Sequence, residues 1–194
     1  MTLDLQLLDP DDERQLDAIV ALFAATDAVD APWRHGATPR SIRQEHLLGY
    51  DGDPEPFYLI RRGSDLVAVG AMALPSRDNL DSGWIYAAVH PDARRKGIGR
   101  CLMVALMGAA LAKGARRMTL EVRVSNRPAQ ELYRQLGFAS AGVRRGYYLD
   151  TREDALVMWA DDLCAAIGRL KPEQDAAASG KGPELDCGER GIDE

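Results

Sequence analysis

Leu3, Leu5 and Leu7 alternate with polar neighbours, the period of a half-buried strand, and Asp9-Pro10 ends it. Downstream, Leu16, Ile19, Val20 and Phe23 recur at i, i+3, i+4 and i+7, one apolar stripe of a helix that Asp11 or Asp12 can cap. After a turn around Ala31-Pro32-Trp33, Thr38-Pro39 predicts a second helix start, a cap followed by a residue whose φ is already helical, and Gly49 its end. Three runs then read as strands, FYLIRR (57–62), LVAVGAMAL (66–74) and GWIYAAVH (83–90), separated by Gly63-Ser64-Asp65 and a polar loop from Ser76 to Ser82, the pattern of an antiparallel meander. From Ile98 to Ala112 the period becomes helical, with Ile98, Leu102, Leu106 and Ala109 or Ala110 on one face and Gly114 as stop. MTLEVRV (118–124) is the next strand, Asn126 to Leu136 a helix closed by Gly137, and VRRGYYL and ALVMWA a last pair of strands.

The order β-α-α-β-β-β-α-β-α-β-β describes a mixed α/β domain with helices on both sides of a central sheet, without the repeated strand-helix units of a doubly wound fold. A composition of 46% hydrophobic and 28% charged residues is that of an ordinary globule. Beyond Leu170 the chain turns poor in branched and aromatic residues and rich in Gly, Pro and charge, so residues 1–170 are expected to form one domain and 171–194 a disordered acidic tail. That tail holds seven acidic and three basic residues, so it carries four of the six net negative charges and leaves the body nearly neutral. Neither nucleic acid nor anionic membrane is an expected partner of such a surface.

Three cysteines, odd in number and widely spaced, fit neither a disulfide framework nor a zinc-ligand spacing, and Cys101 beside Leu102 reads as a packing residue. With no basic leader before an apolar run and no apolar stretch of about 18 residues, a cytoplasmic protein is expected. HExxH, GxSxG and CxxC are absent and the three histidines lack ligand spacing, so no metal is expected.

The most informative segment is VHPDARRKGIGRCL (89–102), where a strand gives way to a basic, glycine-containing loop and an amphipathic helix. Free N–H groups at a helix start, glycines that admit a ligand to the backbone, and Arg94, Arg95, Lys96 and Arg100 together suit a diphosphate. GxxxxGK[ST] is absent and Leu102 stands where a dinucleotide loop needs Gly or Ala, which disfavours ATP and NAD. Spacing alone equally allows surface arginines on a turn. Along 118–124, Glu121 leaves the face of Leu120, Val122 and Val124, and by periodicity it is a solvated strand residue. Tyr133, beside Ala129, Leu132 and Leu136, reads as core packing.

Arg94-Arg95-Lys96-Gly97-Ile98-Gly99 resembles the R/Q-x-x-G-x-G/A pyrophosphate signature of the GNAT N-acetyltransferases. LEVRVSNRPAQELYRQLGF (120–138), followed by VRRGYYLDTREDALVM (143–158), is similar to their RimI-type, ribosomal-protein alanine N-acetyltransferase branch, matching every position of LEVR-x-SN-x-x-A-x-x-LY-x-x-x-GF, R-x-x-YY and EDA-x-x-M. The resemblance covers roughly residues 84 to 160, and the N-terminal half matches less distinctively. It implies the GNAT fold, a mostly antiparallel mixed sheet of about seven strands flanked by helices, and acetyl-CoA as co-substrate with no metal. It also implies a bulged strand at Trp84 to Val89 whose backbone at Ala87, Ala88 and Val89 meets the pantetheine arm, with Arg94, Arg95, Lys96, Gly97, Ile98, Gly99 and Arg100 around the pyrophosphate. Asn126 caps the helix of Tyr133 and, by resemblance, reaches the cofactor.

Carried over by resemblance, Glu121 is the general base and Tyr133 the general acid. A protein α-amine, with a pKa near 7.7 to 8.0, must lose a proton before it attacks a thioester, and the departing thiolate needs one. Tyr147 and Tyr148 are expected to cover the acceptor peptide, the residue-level alternative being a cross-strand aromatic pair. Asp154 either helps recognise a cationic N-terminus or closes a turn. The acceptor implied is an Ala- or Ser-starting protein N-terminus, the enzyme a monomer or homodimer. A small-molecule amine, a lysine side chain, or a non-catalytic acyl-CoA-binding module are the alternatives.

Overall fold

The computed structural model describes residues 3–30, 36–49, 55–75, 77 and 79–169. The turn around Ala31-Pro32-Trp33 and the expected tail from 171 lie outside the described residues. Alternating Leu residues make β1 (Asp4–Leu7), and the first apolar stripe makes α1 (Glu13–Asp30). Asp12 Oδ1 accepts from the N–H of Arg14 at 2.9 Å, capping α1 as the sequence suggests. Leu16, Ile19, Leu22 and Thr26 are its buried face, so Leu22 takes the core position and leaves Phe23 half-buried at its edge. In α2 (Pro39–Leu48) Thr38 and Ser41 complete a reciprocal capping box.

Strands β2 (Phe57–Arg62), β3 (Asp65–Ala73) and β4 (Ser82–Val89) form the expected antiparallel meander. A 3-10 turn (Pro91–Ala93) leads to α3 (Ile98–Ala112), then come β5 (Arg117–Arg123), α4 (Arg127–Gln135), β6 (Ala139–Tyr148) and β7 (Glu153–Ala160). A closing helix, α5 (Leu163–Gly168), was not anticipated from the sequence. The seven strands make one sheet in the order β1-β2-β3-β4-β5-β7-β6, and its parallel pair is β4–β5.

Each sheet face carries its own core. Leu16, Ile19 and Leu22 of α1 and Ile42 of α2 pack on Phe57, Leu59, Val69 and Ala71. On the other face Ile98, Leu102, Leu106 and Ala110 of α3, with Leu163 and Ala166 of α5, pack on Ala68, Met72, Ile85, Met118 and Leu120. Gly70 is what lets α3 sit this close: a Cβ there would lie 2.7 Å from Leu106 Cδ1 and 2.8 Å from the carbonyl oxygen of Tyr86. As expected of a packing residue, Cys101 is half-buried against the core on that face, whereas Cys164 is a free, exposed thiol. No helix among the described residues is long and apolar enough to cross a membrane.

Candidate active site

β4 and β5 pair at Ser82–Arg117, Gly83–Met118 and Trp84–Thr119, and the pairing runs no further. Beyond that rung β4 continues against β3 alone and β5 against β7 alone, so the sheet opens into a wedge. The N-termini of α3 and α4 follow the two diverging strands. Because the N–H of His90 donates to Val67 of β3, strand alternation turns the N–H groups of Tyr86 and Ala88 toward β3 and those of Ala87 and Val89 into the wedge. The bulge expected in this strand is not there: the β3–β4 register is continuous from Trp84 to Val89. Divergence from β5, rather than an inserted residue, is what exposes the backbone, and Ala88 offers the wedge no N–H.

At the mouth of the wedge Gly97, at φ 77°, is the N-cap of α3, and no side chain caps the helix. Its first N–H groups therefore point outward at the positive end of the helix dipole. Arg95, at φ 63°, is exposed, and Arg100 is half-buried along the same cleft. Arg94 is differently engaged: its Nε donates to the carbonyl of Val89 at 3.1 Å, and its two terminal nitrogens reach the Asp30 carboxylate at 3.0 and 2.6 Å. It ties the loop to the end of α1 and is not a free cation. Lys96 donates to the carbonyl of Asp92 at 2.7 Å. The Ile98 side chain is buried in the core, so only its backbone faces the mouth. Asn126 Oδ1 accepts from the N–H of Ala129 at 3.2 Å and caps α4. Buried Gln130 fixes the junction behind it, donating to the carbonyls of Arg123 and Val124, both at 3.0 Å.

Glu121 and Tyr133 stand on opposite faces of the split. Glu121 shares the face of Trp84 and the α1–α2 layer; its side chain is 8% exposed, with Oε2 accepting from Trp84 Nε1 at 2.9 Å and Oε1 lying 3.3 Å from Arg144 Nη1. Tyr133 packs with the α3 core, edge-tilted on Phe138 at 6.0 Å. Burial pushes its hydroxyl up to about 12, so it is a donor throughout the neutral range. Both residues line the same cleft.

The β6–β7 hairpin closes the Glu121 side. Tyr147 and Tyr148 meet edge to face at 5.2 Å, and the Arg123 guanidinium lies 3.9 Å from the Tyr148 ring centroid. Burial pushes Tyr148 up to about 12 against the pull of Arg123, with Tyr147, Glu121 and Tyr133 adding to the rise. That places Tyr148 within electrostatic reach of both Glu121 and Tyr133. Asp154 is not brought to this group. Its Oδ1 accepts from the N–H of Gly146 at 2.8 Å and holds the left-handed residue where the β6–β7 register shifts, a contact of the turn-closing kind. Sequence reasoning missed Trp84 and Arg144 as partners of Glu121, and Arg123 as the anchor of the hairpin through Asp150 at 2.6 Å and Glu153 at 3.2 Å. Arg144 lay within the RRGYY match, whereas nothing local marked Trp84. Among the described residues no group of His, Cys, Asp and Glu is placed to hold a metal ion.

Comparison with known proteins puts this geometry in context. Residues 20–138 match the acetyltransferase (GNAT) family. The [ribosomal protein bS18]-alanine N-acetyltransferase of Escherichia coli K12 is 47% identical over 82 residues, 41% of this chain and 55% of that protein. The chain thus spans about half the length of the curated relatives it matches. The crystal structure of the ribosomal-protein-S18-alanine N-acetyltransferase from Escherichia coli superposes with a TM-score of 0.64 at 26% identity, covering 81% of this chain and 92% of that one. YncA from Salmonella typhimurium, solved with its cofactor acetyl-CoA, shares the fold at a TM-score of 0.67 and 18% identity, covering 84% of this chain and 95% of that one.

Proposed function

Because this chain belongs to the acetyltransferase (GNAT) family, we propose that it moves an acetyl group from acetyl-CoA to the N-terminal α-amine of a protein beginning with Ala or Ser, by direct attack in a ternary complex. The observation that carries this reading is the placement of Glu121 and Tyr133 on opposite faces of the sheet at the wedge where β4 and β5 part. A base on one face and an acid on the other suit an amine and a thioester that meet through the gap.

Acetyl-CoA supplies the activated acetyl group. The uncapped start of α3, with Gly97, Gly99, Arg95 and Arg100, fits its pyrophosphate, while Arg94 and Lys96 shape the loop. The outward N–H groups of Ala87 and Val89 would hold the pantetheine arm and the thioester oxygen. Glu121, directly or through a water, takes a proton from the acceptor ammonium so that the freed amine can attack. Attack leaves a second proton on nitrogen. As the C–S bond breaks and its electron pair departs on sulfur, Tyr133 O–H hydrogen-bonds the thiolate and passes it a proton while the second amine proton restores the tyrosine, so the products are the amide, the thiol and a protonated Glu121. Tyr147 and Tyr148 cover the acceptor, and Asn126 serves as helix cap and cofactor contact.

On this reading the catalytic body is residues 1–170 and the acidic stretch 171–194 lies outside it. The protein acts in the cytoplasm, where ribosomal proteins are made, as a monomer or homodimer that uses neither nucleic acid nor membrane. Mass spectrometry of Ala- and Ser-starting peptides incubated with acetyl-CoA and the full chain tests it. A gain of one acetyl group on the α-amine is the expected result. Modification confined to lysine side chains or added polyamines would reassign the acceptor, and retention of CoA without any acetylated product would make the protein a binding module.

A further inference from the structure

We infer that Trp84 is a positioning residue for Glu121, fixing Oε2 so that Oε1 is the oxygen that takes the acceptor's proton; this rests on the reading of Glu121 as the base. Trp84 stands on the last paired rung between β4 and β5. One residue earlier the strands are packed without slack, because a Cβ on Gly83 would lie 2.8 Å from Met118 Sδ and 2.9 Å from the carbonyl oxygen of Ala73. One rung later the strands part, and no backbone hydrogen bond ties Glu121 to β4. The indole N–H of Trp84, 2.9 Å from Oε2, makes that tie across the opening.

The two partners of the carboxylate differ in how firmly they are held. Trp84 stacks on Tyr86 with centroids 6.1 Å apart and planes 10° from parallel, and Tyr86 meets Phe23 of α1 edge-on at 6.2 Å. The indole is therefore braced from the sheet back to a helix. Arg144, by contrast, sits on the edge strand with its side chain 58% exposed, and its 3.3 Å contact to Oε1 is a loose, water-screened pair. An incoming ammonium displaces Arg144 more readily than Trp84. The N–H bond of the ammonium then breaks, its electron pair stays on nitrogen for the attack, and the proton passes to Oε1. A carboxylate free to rotate would spread that transfer over many geometries, only some of them productive.

The test is a double-mutant cycle on the full chain, with acetyl-CoA and an Ala-starting peptide as substrates. Trp84→Phe keeps the stacked ring and removes the N–H; it is expected to lower kcat about tenfold or more, the usual effect of losing a hydrogen bond to a charged group, with KM for acetyl-CoA unchanged. In a Glu121→Gln background the same substitution is expected to have little further effect, because the bond it removes no longer orients a base. Wild-type kcat in Trp84→Phe, or an equal loss in both backgrounds, overturns the inference. Undiminished turnover in Glu121→Gln alone would instead remove Glu121 as base, a separate failure. Should Trp84→Phe melt early, Glu121→Asp reads the same bond from the other end. It keeps a base but withdraws it from the indole, and it is expected to match the Trp84→Phe loss without adding to it when combined; additivity there would also overturn the inference.

Discussion

Tyr133 and Gly97 show how much a single position carries. With its hydroxyl pushed up to about 12 by burial, Tyr133 keeps its proton at every pH where the enzyme would work. Tyr133→Phe is expected to lower kcat about 100-fold or more, within the range for a general acid, and to leave acetyl-CoA affinity by calorimetry nearly unchanged. The wild-type pH-rate profile should show no falling limb from this group below about pH 11, given its raised value. The same shift has a stability consequence. The folded state holds the Tyr133 proton up to about 12, whereas an unfolded tyrosine releases it near its ordinary value of 10.0. Stability is thus fully present below pH 10 and is lost as pH rises toward 12, and alkaline denaturation should be shallower in Tyr133→Phe, with Tyr148 supplying what remains. Gly97 carries a different burden. A Cβ there would meet nothing within 4 Å, yet its φ of 77° is left-handed. Gly97→Ala should cost about 1 kcal/mol of stability through backbone strain alone, read as a modest drop in melting temperature. Gly97→Glu should in addition cut acetyl-CoA affinity at least tenfold, by placing negative charge at the expected pyrophosphate.

Elements hold the site through a few side chains that bridge distant stretches of chain. Arg123 of β5 reaches Asp150 and Glu153 at the β6–β7 turn, and these groups are under a fifth exposed. Burial raises Glu153, but the bonds from Ser125 and Arg123 outweigh it and hold the carboxyl below its ordinary value. A depressed carboxylate contributes stability above its unfolded pKa and loses it as pH falls through the folded one. Arg123→Ala should therefore lower the melting temperature clearly at pH 7 and progressively less as the pH falls through the acid range in which Glu153 takes up its proton. Such bridges also mark what the sequence could and could not reveal. Period and capping were local, and so the elements from β1 to β7, the Thr38 and Asn126 caps and the span of α3 were legible. α5, six residues long, is too short for a helical period, although Asp162 caps it by accepting from the N–H of Ala165. The Arg94–Asp30 tie spans 64 residues and Trp84–Glu121 spans 37, and no window along the chain contains either pair. Local pattern therefore grouped Arg94 with its basic neighbours, around a diphosphate or on a surface turn, and overlooked Trp84. Glu121 and Tyr133 were ordinary strand and core residues by periodicity, and they stood out through the resemblance of their surrounding motifs.

At the scale of the whole molecule, one sheet serves two cores and is parted where the proposed chemistry sits. On one side β1 to β4 carry α1 and α2; on the other, β5 and β7 continue the sheet, and α3 spans the join through Ile85 of β4 and Met118 and Leu120 of β5. Three rungs, the contacts of Asp81 with Arg116 and Arg117, the Trp84–Glu121 hydrogen bond and that packing join the halves. A ligand seated in the wedge would add contacts to both strands at the place where the backbone supplies none, and it would bind the folded state alone. Linkage then sets the size of the effect: acetyl-CoA at 100 times its Kd should stabilise the fold by about 2.7 kcal/mol, which for a domain of this size raises the melting temperature by roughly 5 to 10 °C. Because the cores share strands, the transition should stay single and move as a whole. A calorimetric scan that splits into two transitions, with only the later one moving on addition of acetyl-CoA, would mean that the ligand binds one half of the sheet and leaves the wedge unbridged.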